Sequence, residues 1–164
     1  MTSTDQARPL PSRYMHRLSV SLAALPLLLL PVACGDDGPS KEDFIADGDR
    51  ICLDLRRDTD AVEQPAPTAP IQELSAYLEE LTRIAERALE DFEALEAPED
   101  DQALKDRMTE TLQAQIDQVE EASAAAEGGD AEAAGEALRR SEETGDEIDA
   151  ELQRYGFEEC GRED

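Results

Sequence analysis

From residue 40 onward, apolar positions recur at helical spacing almost without interruption. Ile71, Leu74, Leu78, Leu81, Ala85, Ala88, Phe92 and Leu95 are separated by alternating steps of three and four. That is a heptad seam, the pattern of helices that pack side by side. Ala131, Ala134, Leu138, Ser141, Gly145, Ile148, Leu152 and Tyr155 repeat the same steps. Leu104, Met108, Leu112, Ile116, Val119, Ala122 and Ala126 form a third stripe, and Phe44, Ile45, Gly48, Ile51, Cys52 and Leu55 a fourth. Four helices follow, over about 41–61, 71–96, 101–127 and 130–155.

The breaks between the stripes have local causes. Ser40 with Asp43 three residues later suits a capping box at the first helix. Glu63–Pro70 (EQPAPTAP) is a stiff, extended connector. Pro98 stops the second helix, and Asp100 or Asp101 is placed to cap the third. Gly128-Gly129-Asp130 supplies a tight turn and a new cap, and Gly156 a C-terminal stop. The fold class expected is all-α, an antiparallel four-helix bundle. A single long coiled coil is the alternative, and Pro98 and Gly128-Gly129 cut it into bundle-length pieces.

Ahead of the helices lies a different pattern. Arg8, Arg13, His16 and Arg17 form a basic segment, Leu18 to Val32 is apolar, and Ala33 stands just before Cys34. The apolar run is shorter than the roughly 20 residues a membrane-spanning helix needs, and Pro26 and Pro31 interrupt it. A cleaved signal peptide over 1–33 is the expectation. Val32-Ala33-Cys34 resembles the last three positions of the lipobox of bacterial lipoproteins, with Pro31 in place of the usual Leu. The resemblance implies a diacylglyceryl lipid on Cys34 and residues 34–40 as a short tether to a bundle domain over 41–164. Ordinary secretion, with Cys34 a spare thiol, is the competing reading. A start at Met15 would leave a more compact signal than a start at Met1.

Composition narrows the chemistry. Residues 1–33 hold three of the 15 Lys and Arg and one of the 41 Asp and Glu, which leaves 12 basic against 40 acidic residues and a net charge near −28. Such a surface repels nucleic acid and anionic lipid, so membrane attachment falls to the lipid on Cys34. The single histidine, His16, lies in the leader, and there is no tryptophan. Without His the bundle has no Ser-His or Cys-His nucleophile pair and no H-E-x-x-H zinc site. No catalytic residue, metal ligand set or cofactor motif stands out, and an enzyme is not expected. The acidic runs match no EF-hand loop; they read as solvated helix faces.

Cys52 and Cys160 remain after Cys34. Two further cysteines in an exported domain point to a disulfide, which would close a loop of about 100 residues and contribute up to ~4.7 kcal/mol in the chain-entropy model. Two separately buried thiols are the alternative. The fourth helix carries small residues at the centre of its seam, Ala134, Ser141 and Gly145. They imply either close approach of a neighbouring helix or a shallow groove for a peptide or lipid.

Ile51-Cys52, the Pro-rich gap Pro65–Pro70, Tyr77–Leu81 (YLEEL), Ala97–Asp101 (APEDD), Gly129-Asp130 and Gly156–Cys160 (GFEEC) together resemble small exported helical lipoproteins of high-GC actinobacteria. The resemblance implies the bundle, the anchor and the Cys52–Cys160 pair, and no activity. The expected role is therefore a protein-interaction or accessory module, held by its lipid at the outer face of the cytoplasmic membrane and meeting an envelope protein partner. A binding protein for a small ligand, a peptide or a divalent cation is the alternative.

Overall fold

In the computed structural model, residues 38–162 are described; all their regular structure is helical. Helix α1 spans Lys41–Asp60, α2 Ile71–Ala94, α3 Gln102–Glu127 and α4 Ala131–Tyr155, with a single 3-10 turn at Glu99–Asp101. The four helices pack against one another.

Two starts are capped as their residue types require. Ser40 Oγ accepts the Asp43 N–H at 3.1 Å while the Asp43 carboxylate accepts the Ser40 N–H at 3.3 Å, a complete capping box. Asp130 Oδ1 accepts the Ala133 N–H at 3.0 Å at the head of α4. The third start differs from expectation. Asp101 occupies the cap position of α3 but makes no side-chain cap bond, because a 3-10 turn closes there first, with the Asp101 N–H on the Pro98 carbonyl at 2.9 Å. Helix α2 also ends two residues early. Leu95 is extended (φ −62°, ψ 127°), so Leu95 and Ala97 both turn inward while Glu96 stays exposed, the alternation of a strand-like segment. At the far end Gly156 adopts φ 124°, and the turn folds the tail back.

Pairs across the helices fix their directions. Ser75 meets Ser123 and Lys105 reaches the Glu93 carbonyl between α2 and α3, while Arg107 pairs with Glu151 and Arg140 with Glu121 between α3 and α4. At both interfaces rising numbers on one helix meet falling numbers on the next, so α2, α3 and α4 run alternately up and down. The interior falls into two parts. Around Phe44, Ile51, Phe92, Met108, Ile148 and Leu152, all four helices contribute. Around Leu78, Ala122 and Ala137, only α2, α3 and α4 do. The shorter α1 ends before the bundle does, and the packing steps down from four helices to three. Leu78, Ala122 and Ala137 are buried there, ringed by partly buried Leu74, Tyr77, Leu81, Val119 and Leu138.

Candidate functional site

Cys34, the expected lipid attachment, lies outside the described residues. Cys52 and Cys160 are joined by a disulfide with their Cα atoms 5.3 Å apart. It bonds α1 to the tail after Gly156, and three further contacts hold the same tail. Phe157 is buried against Phe44, their rings edge to face with centroids 5.5 Å apart, and it stacks on Tyr155. Gly48 makes room for it: a Cβ there would stand 2.6 Å from Phe157 Cε1. The Asp49 carboxylate accepts the backbone N–H groups of Glu158, Glu159 and Cys160 at 2.8–3.1 Å. Arg56 donates to Glu159 twice, to its carboxylate at 2.6 Å and its carbonyl at 2.7 Å. The hydrogen bond from Arg56 holds the Glu159 carboxyl below its ordinary value, with the Arg162 charge adding to it. Tyr155 is affected oppositely. Burial, then the Asp101 and Glu42 carboxylates, push its hydroxyl above the usual tyrosine value, while the Lys41 ammonium lies 3.9 Å over the ring.

A second feature sits where α1 runs out. Leu55, Leu81, Ala85, Leu112, Ile116 and Val119 line a cleft of about 290 Å³ between α1, α2 and α3. Thr59, Thr82, Gln115 and Ser141 add polar groups to its wall. Leu55, Leu112 and Gln115 also line a second cleft of about 190 Å³, which continues past Met108 and Ile148 to the disulfide. Thr82 is 8% exposed, and its hydroxyl has no hydrogen-bond partner among the described residues.

The small-residue face of α4 is packed along part of its length, and its Ser141 and Gly145 border the two clefts. Ala134, Ala137 and Ser141 are buried, and a Cβ on Gly145 would come within 2.6 Å of the Gln115 amide nitrogen. Gln115 of α3 thus closes in on Gly145, while the clefts open where α1, α3 and α4 meet.

No family model, curated protein or solved structure matches the chain. Its residues alone carry the functional reading. Among the described residues no three His, Cys, Asp or Glu side chains stand together as a metal-ligand set, and no helix is long and apolar enough to cross a membrane.

Sequence reasoning missed Asp49 and Thr82. Asp49 sits between Gly48 and Arg50 on a helix with carboxylates at many positions, and nothing local marks it as the one that meets the tail. Thr82 sits one place from Leu81 on the α2 seam; a polar residue next to a seam position was the available signal.

Proposed function

We propose that the protein is a lipid-anchored extracytoplasmic module, which holds an acidic helical bundle at the outer face of the cytoplasmic membrane and engages an envelope protein partner. One observation supports this reading most. Residues 38–40 lead into α1 at the four-helix part, the same part to which the Cys52–Cys160 bond and the Asp49 contacts tie the C-terminal tail. A tether from Cys34 would attach there, at the covalently closed end. Helix α2, 24 residues and about 36 Å long, carries the three-helix part away from it. Fixing both chain ends at one pole leaves the opposite pole free for a partner.

The charge balance fits the anchor. With 41 Asp and Glu against 15 Lys and Arg, the protein is repelled by anionic lipid, and two acyl chains would hold it where electrostatics cannot. The same charge favours a partner with a basic surface, whose approach it would accelerate at low salt.

The test is a non-reducing intact mass of the protein extracted gently from its own membranes, followed by cross-linking in the intact envelope. The expected species begins at Cys34, carries a diacylglyceryl and acyl mass, lacks two hydrogens, and cross-links to one protein. An unlipidated species in the culture medium would overturn the anchor, and a lipidated protein with no cross-linked partner would overturn the interaction role.

A further inference from the structure

The bond that closes the tail joins two sulfurs with unequal surroundings. Cys52 is half-buried on α1, while Cys160 is 1% exposed. Inside a helix the backbone is wrapped by its own side chains, so what Cys52 exposes is its short side chain. Both residues border the cleft of about 190 Å³ beside Leu112 and Ile148, which leaves room for a small reagent only. We propose that a small neutral thiol opens the bond at Cys52, and that Cys160, held by the docked tail, closes it again.

Access decides which sulfur is attacked. Exchange between a thiol and a disulfide depends on the approach to each sulfur as well as on the chemistry of the thiols. Cys160 belongs to the buried cluster of Phe44, Ile51 and Phe157, with its Sγ 3.3 Å from the Gly48 carbonyl oxygen. The incoming thiolate therefore bonds to Cys52 Sγ. The Cys52–Cys160 bond breaks, and Cys160 leaves as a thiolate that takes up the proton the reagent released. The products are a mixed disulfide on Cys52 and a thiol at Cys160, with the Gly48 carbonyl placed to accept its S–H. One disulfide replaces another, so there is no net oxidation. A neutral reagent is favoured because the chain has a formal charge of −26 and Asp149 borders the cleft.

The other holds on the tail set the reverse step. Phe157 is seated against Phe44, and Asp49 accepts the N–H groups of Glu158, Glu159 and Cys160. Just beyond, Gln153 donates to the Gly161 carbonyl. None of these contacts passes through sulfur. Cys160 therefore stays beside Cys52 after the bond opens, an intramolecular nucleophile at high effective concentration. Its thiolate attacks Cys52 Sγ in the mixed disulfide, re-forms the bond and expels the small thiol. The pair acts as a closure that erases thiol adducts, whether or not Cys34 carries a lipid.

The test uses full-length protein with Cys34→Ser, in which only Cys52 and Cys160 can react. It is exposed to mercaptoethanol, quenched in acid, and the mixed disulfide is mapped by mass spectrometry. The adduct is expected on Cys52; an adduct mainly on Cys160, equal amounts on both, or none on the folded protein would overturn the proposal. Returned to neutral buffer free of thiol and oxygen, the protein should lose the adduct mass and recover its bond. A persistent adduct would overturn the closing role of Cys160. Cys160→Ser and Cys52→Ser, added singly, separate the two thiols. With bis(hydroxyethyl) disulfide as the probe, Cys52 should react about tenfold faster or more than Cys160 while circular dichroism stays helical. Equal rates in the two folded variants would overturn the assignment of the open sulfur.

Discussion

The Asp49 carboxylate accepts the backbone N–H of Cys160 at 3.0 Å, one helical turn from Cys52, the residue to which Cys160 is covalently bonded. Three consecutive tail N–H groups converge on that carboxylate. Hydrogen bonds to a charged acceptor contribute about 1.5–3 kcal/mol each in favourable cases. Asp49 is only half-buried, however, and water can take over part of the role. Asp49→Ala is expected to cost about 2 kcal/mol in all, read as a lowered urea midpoint at unchanged m-value. An unchanged midpoint would show that the disulfide alone holds the tail.

Removing the disulfide addresses the other hold. Cys52→Ser with Cys160→Ser is expected to destabilise by about 2–5 kcal/mol, while Phe157 and Asp49 keep the tail docked. The thermal midpoint of the wild type should fall on addition of reductant, and that of the double variant should not move. Reductant-insensitive melting of the wild type would contradict a closed bond.

Gly48 tests how tightly Phe157 is seated. Ala is the better helix former by about 1 kcal/mol, so Gly48→Ala on a free surface would stabilise. Here the added Cβ meets the edge of a buried ring at 2.6 Å, and overpacking of this kind costs about 1–3 kcal/mol. Net destabilisation is expected, with recovery when Phe157→Leu is added, as a coupled pair in a double-mutant cycle.

Stability against pH should have two recognisable edges. The Tyr155 hydroxyl is held above its ordinary value of 10.0. Its proton is kept in the folded protein where the unfolded chain would lose it, so its contribution is full below pH 10 and declines as pH rises beyond that. The Glu159 carboxyl is held below its ordinary 4.5, so its contribution is present above that pH and is lost as pH falls through the lower folded value. In urea midpoints measured from pH 3 to 11, Tyr155→Phe should flatten the alkaline limb and Glu159→Gln part of the acid limb. Parallel curves for variant and wild type would contradict the assignments.

Thr82→Val replaces a buried unpartnered hydroxyl by a methyl of similar shape. The protein should gain about 1 kcal/mol or more, raising its melting temperature by a few degrees. A loss of stability would mean that the hydroxyl has a partner, such as an ordered water.

How much of this could be read along the chain depends on how local each feature is. Ser40 with Asp43, the Gly128-Gly129-Asp130 turn and the Gly156 stop are contacts between residues at most a few positions apart, and they stand where their types place them. The Cys52–Cys160 pair was legible through simple counting. The interior was legible only in part. Ser75 and Ser123 are buried beside the seams, because they satisfy each other across α2 and α3 with their hydroxyls 3.1 Å apart. A polar residue reads as surface until its partner on another helix is known. Ile84 is buried as well, off the heptad seam, since α2 packs against both α1 and α3 and one stripe does not describe two interfaces.

The sequence by itself therefore determined the number of helices, their limits to within two residues, the main seam of each and the cysteines available for pairing. All of these follow from backbone preference and helical period, which act over a few residues. Only the tertiary structure decided that Asp49 is the carboxylate that gathers the tail, that Gln115 closes against Gly145 on the small face of α4, and that the bundle steps from four helices to three. Those outcomes depend on where a 20-residue helix ends against three longer ones, a relation between lengths and registers of separate segments that no single stretch of chain contains.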